Sequence, residues 1–517
     1  MRLLRTFSFL ILAISLAAFA VGQGLSPQPP SAVRDQVRAH RRAHEADIVH
    51  EFADLLAIPN LASDREDIRR NAEHIAAMLR KRGVEVQLLD SGGGPPIVFG
   101  TLSAPGARRT LLIYAHYDGQ PVDKAQWADE PWKPVLRDGL LEKGAKAVPI
   151  DNLKPPFNPE WRIYARSAGD DKVPIQSVVA ALDALQANKI PLSVNLKFFF
   201  EGEEEAGSAH LPDSIRRYAD LLKGDAWLLC DGPVHQTRKM QVYFGARGEI
   251  GFEMTLYGPT RSLHDGHYGN WAPNPAALVA HLLGEMRSSD AHVNIPGFYA
   301  DVRPLTAAES QAIQTIPSID TQLREELGLA WSEGGDKSVY LQITQPAMNV
   351  RGIDAGHVGD KAQNAIPTEA RASVDFRLVP NQTPAKIREL TEAYFRQQGF
   401  YIVREDPDRQ TRLTHPRTMK LLWGAGNPPA RTAMDAPEAK AVVGAIEATL
   451  ASPVIKMPTL GGTVPMYLFL DVLKTPVIGV PLANHDNNQH AANENLRLQN
   501  LWDGIEIFAG ILSGTNW

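Results

Sequence analysis

Residues 198–208 read Phe-Phe-Phe-Glu-Gly-Glu-Glu-Glu-Ala-Gly-Ser, an apolar run ending in four carboxylates within five positions. With Val194, Leu196 and Lys197 ahead of it, the run predicts a buried strand that delivers its acids to a sheet edge. Carboxylates packed this closely repel one another, so placing them at the mouth of a core is costly. A bound divalent cation offsets that cost; a solvated acidic turn is the other way such a run can exist. The three aromatics place the run at a core rather than in a tail, and on this segment alone both readings stand.

Strands and helices alternate along the rest of the chain. Ser63-Asp64-Arg65-Glu66 reads as a capping box, followed by Ile68, Ala72, Ile75 and Leu79 on one helix face and closed by Gly83. Val84 to Leu89 and Leu111 to Ala115 read as strands, 176–186 as a helix, and 193–200 and 225–230 as further strands. The alternation predicts an α/β fold, a central sheet flanked by helices on both faces. Functional sites in such sheets gather at the carboxyl ends of the strands.

Other acids and histidines fall at such ends. Leu111 to Ala115 runs into His116-Tyr117-Asp118, where residues two apart share a face, so Asp118 can hold the His116 ring. Ala226 to Cys230 runs into Asp231, and a polar loop, Ala165 to Lys172, carries Asp170 and Asp171 into a helix. After the apolar Pro476 to Pro481 comes His490-Ala491-Ala492-Asn493-Glu494. Singly each is a weak signal; together they form a mixed N/O donor set suited to Zn²⁺ or Mn²⁺. An odd donor count with one carboxylate shared is what a two-metal site uses.

At 517 residues the chain exceeds what one core supports, so two domains are expected. Its net charge of −6 gives no reason to expect nucleic acid or an anionic membrane as partner. Arg2 and Arg5 precede an apolar stretch from Phe7 to Val21, with Ala18-Phe19-Ala20 as a small-residue cleavage site. This reads as a signal peptide over 1–22 and a Pro/Ser/Gln-bearing linker over 23–32, and predicts a secreted or periplasmic protein with no membrane span after cleavage. The single cysteine, Cys230, can form no internal disulfide.

Taken in order, these motifs resemble the two-metal exopeptidases and amidohydrolases that include carnosine-type dipeptidases, aminoacylase, acetylornithine deacetylase, succinyl-diaminopimelate desuccinylase and glutamate carboxypeptidase. The resemblance runs over nearly everything after residue 22 and is nearest to the dipeptidase branch, through Tyr114-Ala115-His116-Tyr117-Asp118-Gly119-Gln120-Pro121. It implies two divalent metal ions, zinc before manganese or cobalt. Asp170 would bridge them, with His116 and Asp231 completing one site and Glu205 and His490 the other. Asp118 would orient His116, and Glu204 would be the general base. It also implies a catalytic domain over 33–245 and 412–517, interrupted at 246–411 by a smaller α/β lid and dimerisation domain. Within the insert, strands Ile250 to Tyr257 and Ala370 to Val379 and helices Asn274 to Met286 and Pro384 to Gln397 fit that unit. His264 would reach an active site across a homodimer and stabilise the oxyanion. Asn364 and Arg377 would contact substrate, Arg377 by gripping a carboxylate. Gly462 and Thr463, in Gly461-Gly462-Thr463-Val464-Pro465, would close over the substrate backbone.

The expected activity is hydrolysis of dipeptides or short peptides; an N-acyl-amino-acid amidohydrolase is the alternative, and a non-catalytic peptide-binding protein a further one. Departures from the family pattern bear on the pocket. Ala165, Ser167 and Val173 stand where glycines are usual, Asp265 where serine is usual, and Glu142 to Trp161 lengthens the approach to Asp170. Glu201 and Glu203 read as structural or solvated. His40 and His44 read as a solvated helix face, and His485 as the lesser candidate beside His490.

Overall fold

The computed structural model describes residues 29–150 and 154–517. The expected signal peptide and residues 23–28 of the linker lie outside them. At the centre are two strands with little polar alternation. Thr110–His116 buries every side chain from Leu111 to His116, and Asn195–Glu201 buries Leu196 and all of Phe198 to Glu201. Strands apolar on both faces need both faces covered. They pair in parallel, His116 in register with Glu201.

Around them an eight-stranded sheet runs Glu85–Leu89, Ile97–Leu102, Asn195–Glu201, Thr110–His116, Ala226–Leu229, Val477–Gly479, Gln241–Tyr243, Ile455–Met457. Successive residues of each strand enter opposite cores. Leu111, Ile113, Phe198 and Phe200 pack with helices Arg65–Arg80, Lys172–Ala187 and Leu498–Gly514. Leu112, Tyr114, Phe199 and Trp227 pack with Leu211, Ile215, Met466 and Phe469 on the other face. Helix Arg65–Arg80 is capped by Asp64, whose carboxylate accepts from the Glu66 and Asp67 amides, so the expected capping box on Ser63 is not formed. A carboxylate is the stronger acceptor at the positive end of a helix, and it takes the position.

A three-stranded sheet, Asn495–Arg497 beside Arg162–Tyr164 beside Val135–Arg137, is antiparallel throughout. It brings the segment after His490 next to the loop that carries Asp170. A five-stranded sheet holds Ala347–Asp354, Glu369–Leu378, Gly248–Tyr257, Thr418–Trp423 and Tyr401–Val403 in that order. Ile250, Phe252, Met254 and Leu256 alternate inward along Gly248–Tyr257 and meet helices Pro275–Met286 and Pro384–Gln397 through Val279, Leu283, Ile387 and Phe395. This sheet draws its strands from residues on both sides of position 411. Among the described residues no helix is long and apolar enough to cross a membrane.

Candidate metal centre and active site

The carboxyl ends of the parallel strands converge on two clusters of metal-ligating atoms. One donor atom each from His116, Asp170 and Asp231 lie within 4.8 Å of one another, and so do one each from Asp170, Glu205 and His490. Asp170 belongs to both. Its Oδ1 is 2.9 Å from His116 Nε2 and its Oδ2 is 3.2 Å from His490 Nε2, which is also 3.2 Å from Glu205 Oε2. His116 is fully buried, whereas His490 is 55% exposed and sits in the left-handed backbone region with φ 61°.

Asp118 does more than face His116. Its Oδ1 lies 3.3 Å from His116 Nδ1, yet that buried nitrogen has no well-directed hydrogen bond. The two Asp118 oxygens instead accept the backbone amides of Glu204 (3.1 Å) and Glu205 (3.0 Å). One buried carboxylate therefore fixes the short helical turn that presents both acids. Gln120 Nε2 donates to Glu205 Oε2 at 2.8 Å.

The electrostatics of the cluster call for cations. Among the described residues, the ion-pair partners of Asp118, Asp170 and Glu205 are the imidazoles of His116 and His490, and Glu204 and Asp231 have none. Burial, with the charges of Asp231, Glu201 and Glu205, pushes the Glu204 carboxyl up to about 9. Burial beside Asp170 pushes Asp231 up to about 7. Asp170, which burial alone would raise, is held below the usual carboxylate range by His116 and His490. Hydrogen bonds to Asp170 and Glu205 raise His490 to about 10. Such a surplus of buried negative charge, arranged as two mixed N/O triads sharing one carboxylate, fits a pair of divalent ions.

Glu494 supports this centre and was not singled out as a site residue from the sequence. Its carboxylate is fully buried and accepts four bonds of 2.9 Å: Arg166 Nη1 and Ser167 N on one oxygen, Gly169 N and Asp170 N on the other. Burial and the charge of Asp170 push this carboxyl up to about 7 against the opposing pull of Arg166 and the backbone amides, while two donors on each oxygen give it the hydrogen-bond geometry of a carboxylate. The loop 166–170 is thus wound around one anion from the far end of the chain. The available signal was its place in His-Ala-Ala-Asn-Glu, the segment that also supplies His490.

A cleft of about 580 Å³ opens beside Glu204, lined also by Arg377, Gly462, Thr463 and Glu249. Arg377 donates to Thr463 Oγ1 at 3.2 Å and lies 3.4 Å from Asp375. These sequence-predicted residues come together with Glu204. His264 and Asn364 do not: His264 is 59% exposed, with Gly266 and His267 as its neighbours, and Asn364 is exposed on the adjoining loop. Glu201 is buried and bound by Tyr114 and Ser208, while Glu203 holds His210 at 2.9 Å. His485 is half-buried outside both ligand triads, and the His40 and His44 rings contact each other.

A model of peptidase family M20/M25/M40 matches residues 146–514. The chain is 24% identical to the human Beta-Ala-His dipeptidase over 96% of each chain. It is 26% identical to the Cys-Gly metallodipeptidase of Schizosaccharomyces pombe, covering 88% of this chain and 92% of that one. The M20 family metallo-carboxypeptidase of Sulfolobus solfataricus superposes with a TM-score of 0.73 at 27% identity, over 90% of this chain and 98% of that one. One expectation is overturned by these relatives. The Cys-Gly metallodipeptidases are matched over most of the chain, and on that likeness the reading of a secreted or periplasmic protein is withdrawn. It rested on a short apolar stretch behind two arginines, a compositional pattern that does not outweigh likeness over most of the chain.

Proposed function

This chain belongs to peptidase family M20/M25/M40, and from that premise we propose how its own residues carry out peptide hydrolysis. It is a metal-dependent hydrolase of the dipeptidase type, with two divalent metal ions, typically zinc, as cofactor. The proposal assigns His116, Asp170 and Asp231 to one ion, and Asp170, Glu205 and His490 to the other. Bound there, two divalent ions would supply a water acidified toward a pKa of about 7 and polarisation of the scissile carbonyl.

Glu204 acts as general base. It takes the attacking water's proton and returns it to the leaving nitrogen. Asp118 sets its position through the Glu204 amide and orients Glu205 through the next one. Arg377 receives the substrate's carboxylate as a fork of two donors, with Thr463 steadying the guanidinium and Gly462 beside it. The unit around the five-stranded sheet serves as a lid. His264, exposed and remote from these contacts, serves the active site of the partner subunit in a homodimer.

The observation that carries this reading is the pair of donor triads sharing Asp170, with Glu204 on the adjoining turn and lining the same cleft as Arg377. Replacing Glu204 with Gln is expected to lower kcat by at least about a hundredfold while leaving two ions bound per chain. Full activity in Glu204→Gln removes the assigned base. A dipeptide panel run beside N-acetyl amino acids separates peptidase from amidohydrolase, and turnover of the acyl compounds alone decides for the latter.

A further inference from the structure

The cleft beside Glu204 carries a charge that the mechanism leaves unused. Glu249 and Arg377 are directly opposite each other on the antiparallel strands Gly248–Tyr257 and Glu369–Leu378. Directly opposed residues send their side chains to the same face, with Cα atoms about 4.5–5.5 Å apart. Both line the cleft, and both are partly exposed to it. A lysine-free, arginine-bearing wall would need a carboxylate only to balance it, yet the two are not paired: Arg377 takes Asp375 at 3.4 Å instead.

The Glu249 carboxylate has a single side-chain partner among the described residues, the amide of Asn427 at a long 3.4 Å. The backbone of Asn427 is tied to that of Glu249 by two 2.8 Å bonds, and its side-chain oxygen accepts from Tyr467 at 3.0 Å. Asn427 is therefore held with its amide toward Glu249, and most of the acceptor capacity of Glu249 is left facing the cleft. A side-chain carboxylate with spare acceptors, beside the arginine proposed to bind a carboxylate, matches a ligand that carries both charges.

We propose that Glu249 is a specificity-determining residue that binds a cationic group of the substrate while Arg377 binds its carboxylate. This rests on the peptidase reading above and on the place given there to Arg377. The cation has two chemical sources, the free α-ammonium of a dipeptide or a basic side chain on its C-terminal residue.

Hydrolysis of Ala-Lys, Ala-Leu and N-acetyl-leucine by the metal-loaded protein distinguishes them. If the side chain is read, Glu249→Gln lowers the kcat/KM ratio of Ala-Lys to Ala-Leu about tenfold, chiefly through KM. If the α-ammonium is read, the same variant lowers the ratio of Ala-Leu to N-acetyl-leucine by a similar factor. Glu249→Asp retains most of either ratio, and Glu249→Lys shifts preference from Ala-Lys toward Ala-Glu, which a general loss of folding would not do. Retained turnover with both ratios unmoved in Glu249→Gln overturns the proposal. Absence of turnover of both dipeptides by the unaltered protein overturns the peptidase reading, and this proposal with it.

Discussion

Glu494→Gln tests the claim that the metal centre depends on an anion supplied from the end of the chain. The substitution keeps the shape of the side chain but turns one acceptor oxygen into an NH₂ group. Whichever way the amide is placed, two donors lose their acceptor and face another donor: either Gly169 N and Asp170 N, or Ser167 N and Arg166 Nη1. Hydrogen bonds to a charged group contribute about 1.5–3 kcal/mol each, so the two sum to about 3–6 kcal/mol. Arg166 is itself only 2% exposed, and breaking a buried pair by removing one charge costs about 3–5 kcal/mol. The expected loss is therefore about 3–5 kcal/mol, read as a lowered urea midpoint of the metal-free protein. Because Asp170 N is one of the four donors, the proposed bridging carboxylate is loosened as well. Metal affinity measured by chelator competition is expected to fall about 10–100-fold. A loss under about 1 kcal/mol, with metal affinity unchanged, would refute the reasoning.

Three further outcomes are expected. Burial and the charge of Glu506 raise the Asp503 carboxyl to about 6, so this group's contribution to stability is present below the unfolded pKa of about 3.9 and lost as pH rises through 6. Asp503→Asn should accordingly be more stable than the parent by about 1–2 kcal/mol at pH 7.5, discounted for partial exposure, and the gain should vanish near pH 4; a gain that persists at pH 4 contradicts it. Removing the metal ions with a chelator should lower thermal stability, by about 2.7 kcal/mol from a state with free metal at a hundred times Kd, and re-addition should restore it; an unchanged melting temperature argues against ions bound to the native state. A Cβ on Gly479 would stand 2.2 Å from the Tyr243 ring, whose hydroxyl donates to the Asp231 carbonyl. Gly479→Ala should cost about 1–3 kcal/mol and weaken one of two metal-binding phases while sparing the other; equal weakening of both would break the assignment of Asp231 to one triad.

What was legible in the sequence was what is local to a strand and its end. Leu111 to His116 and Phe198 to Glu201 have no room for a solvated face, so their burial and the convergence of His116 with the acidic turn followed from pattern alone. Helix Pro384–Gln397 and the alternating strand Gly248–Tyr257 were legible for the same reason. Features that depend on distant partners were not. Asp64 and Ser63 are both competent caps, and only the folded turn selects the carboxylate. Nothing local to Glu494 reveals that its four donors lie 324 to 328 residues earlier. Glu249 reads as an ordinary outward residue of a strand until the packing of the two sheets places it in the same cleft as Glu204. Strand order was also hidden: Val477–Gly479 enters between Ala226–Leu229 and Gln241–Tyr243, an insertion no periodicity announces.

The two triads are unequal, and the inequality has a structural cause. The donors His116 and Asp231 extend from strands in the middle of the eight-stranded sheet, and both are buried there. His490 lies on a segment held by a different device. Arg162 makes bonds of 3.1 and 2.7 Å to the Asp486 carboxylate and one of 2.8 Å to Asn495, while Asn495–Arg497 pairs with Arg162–Tyr164. Asp170 stands at the seam, one oxygen toward each side. A ligand that requires both sides adds its binding energy to the docking of the C-terminal segment against the sheet, because it binds only where that docking has occurred. The open side of the seam is the one with His490 and Glu205, and the turn that carries Glu205 also carries Glu204 into the cleft. The acidic run thus meets partners from two parts of the fold: a buried side whose donors suit an ion, and an exposed side where, on the proposed reading, substrate would meet Glu204.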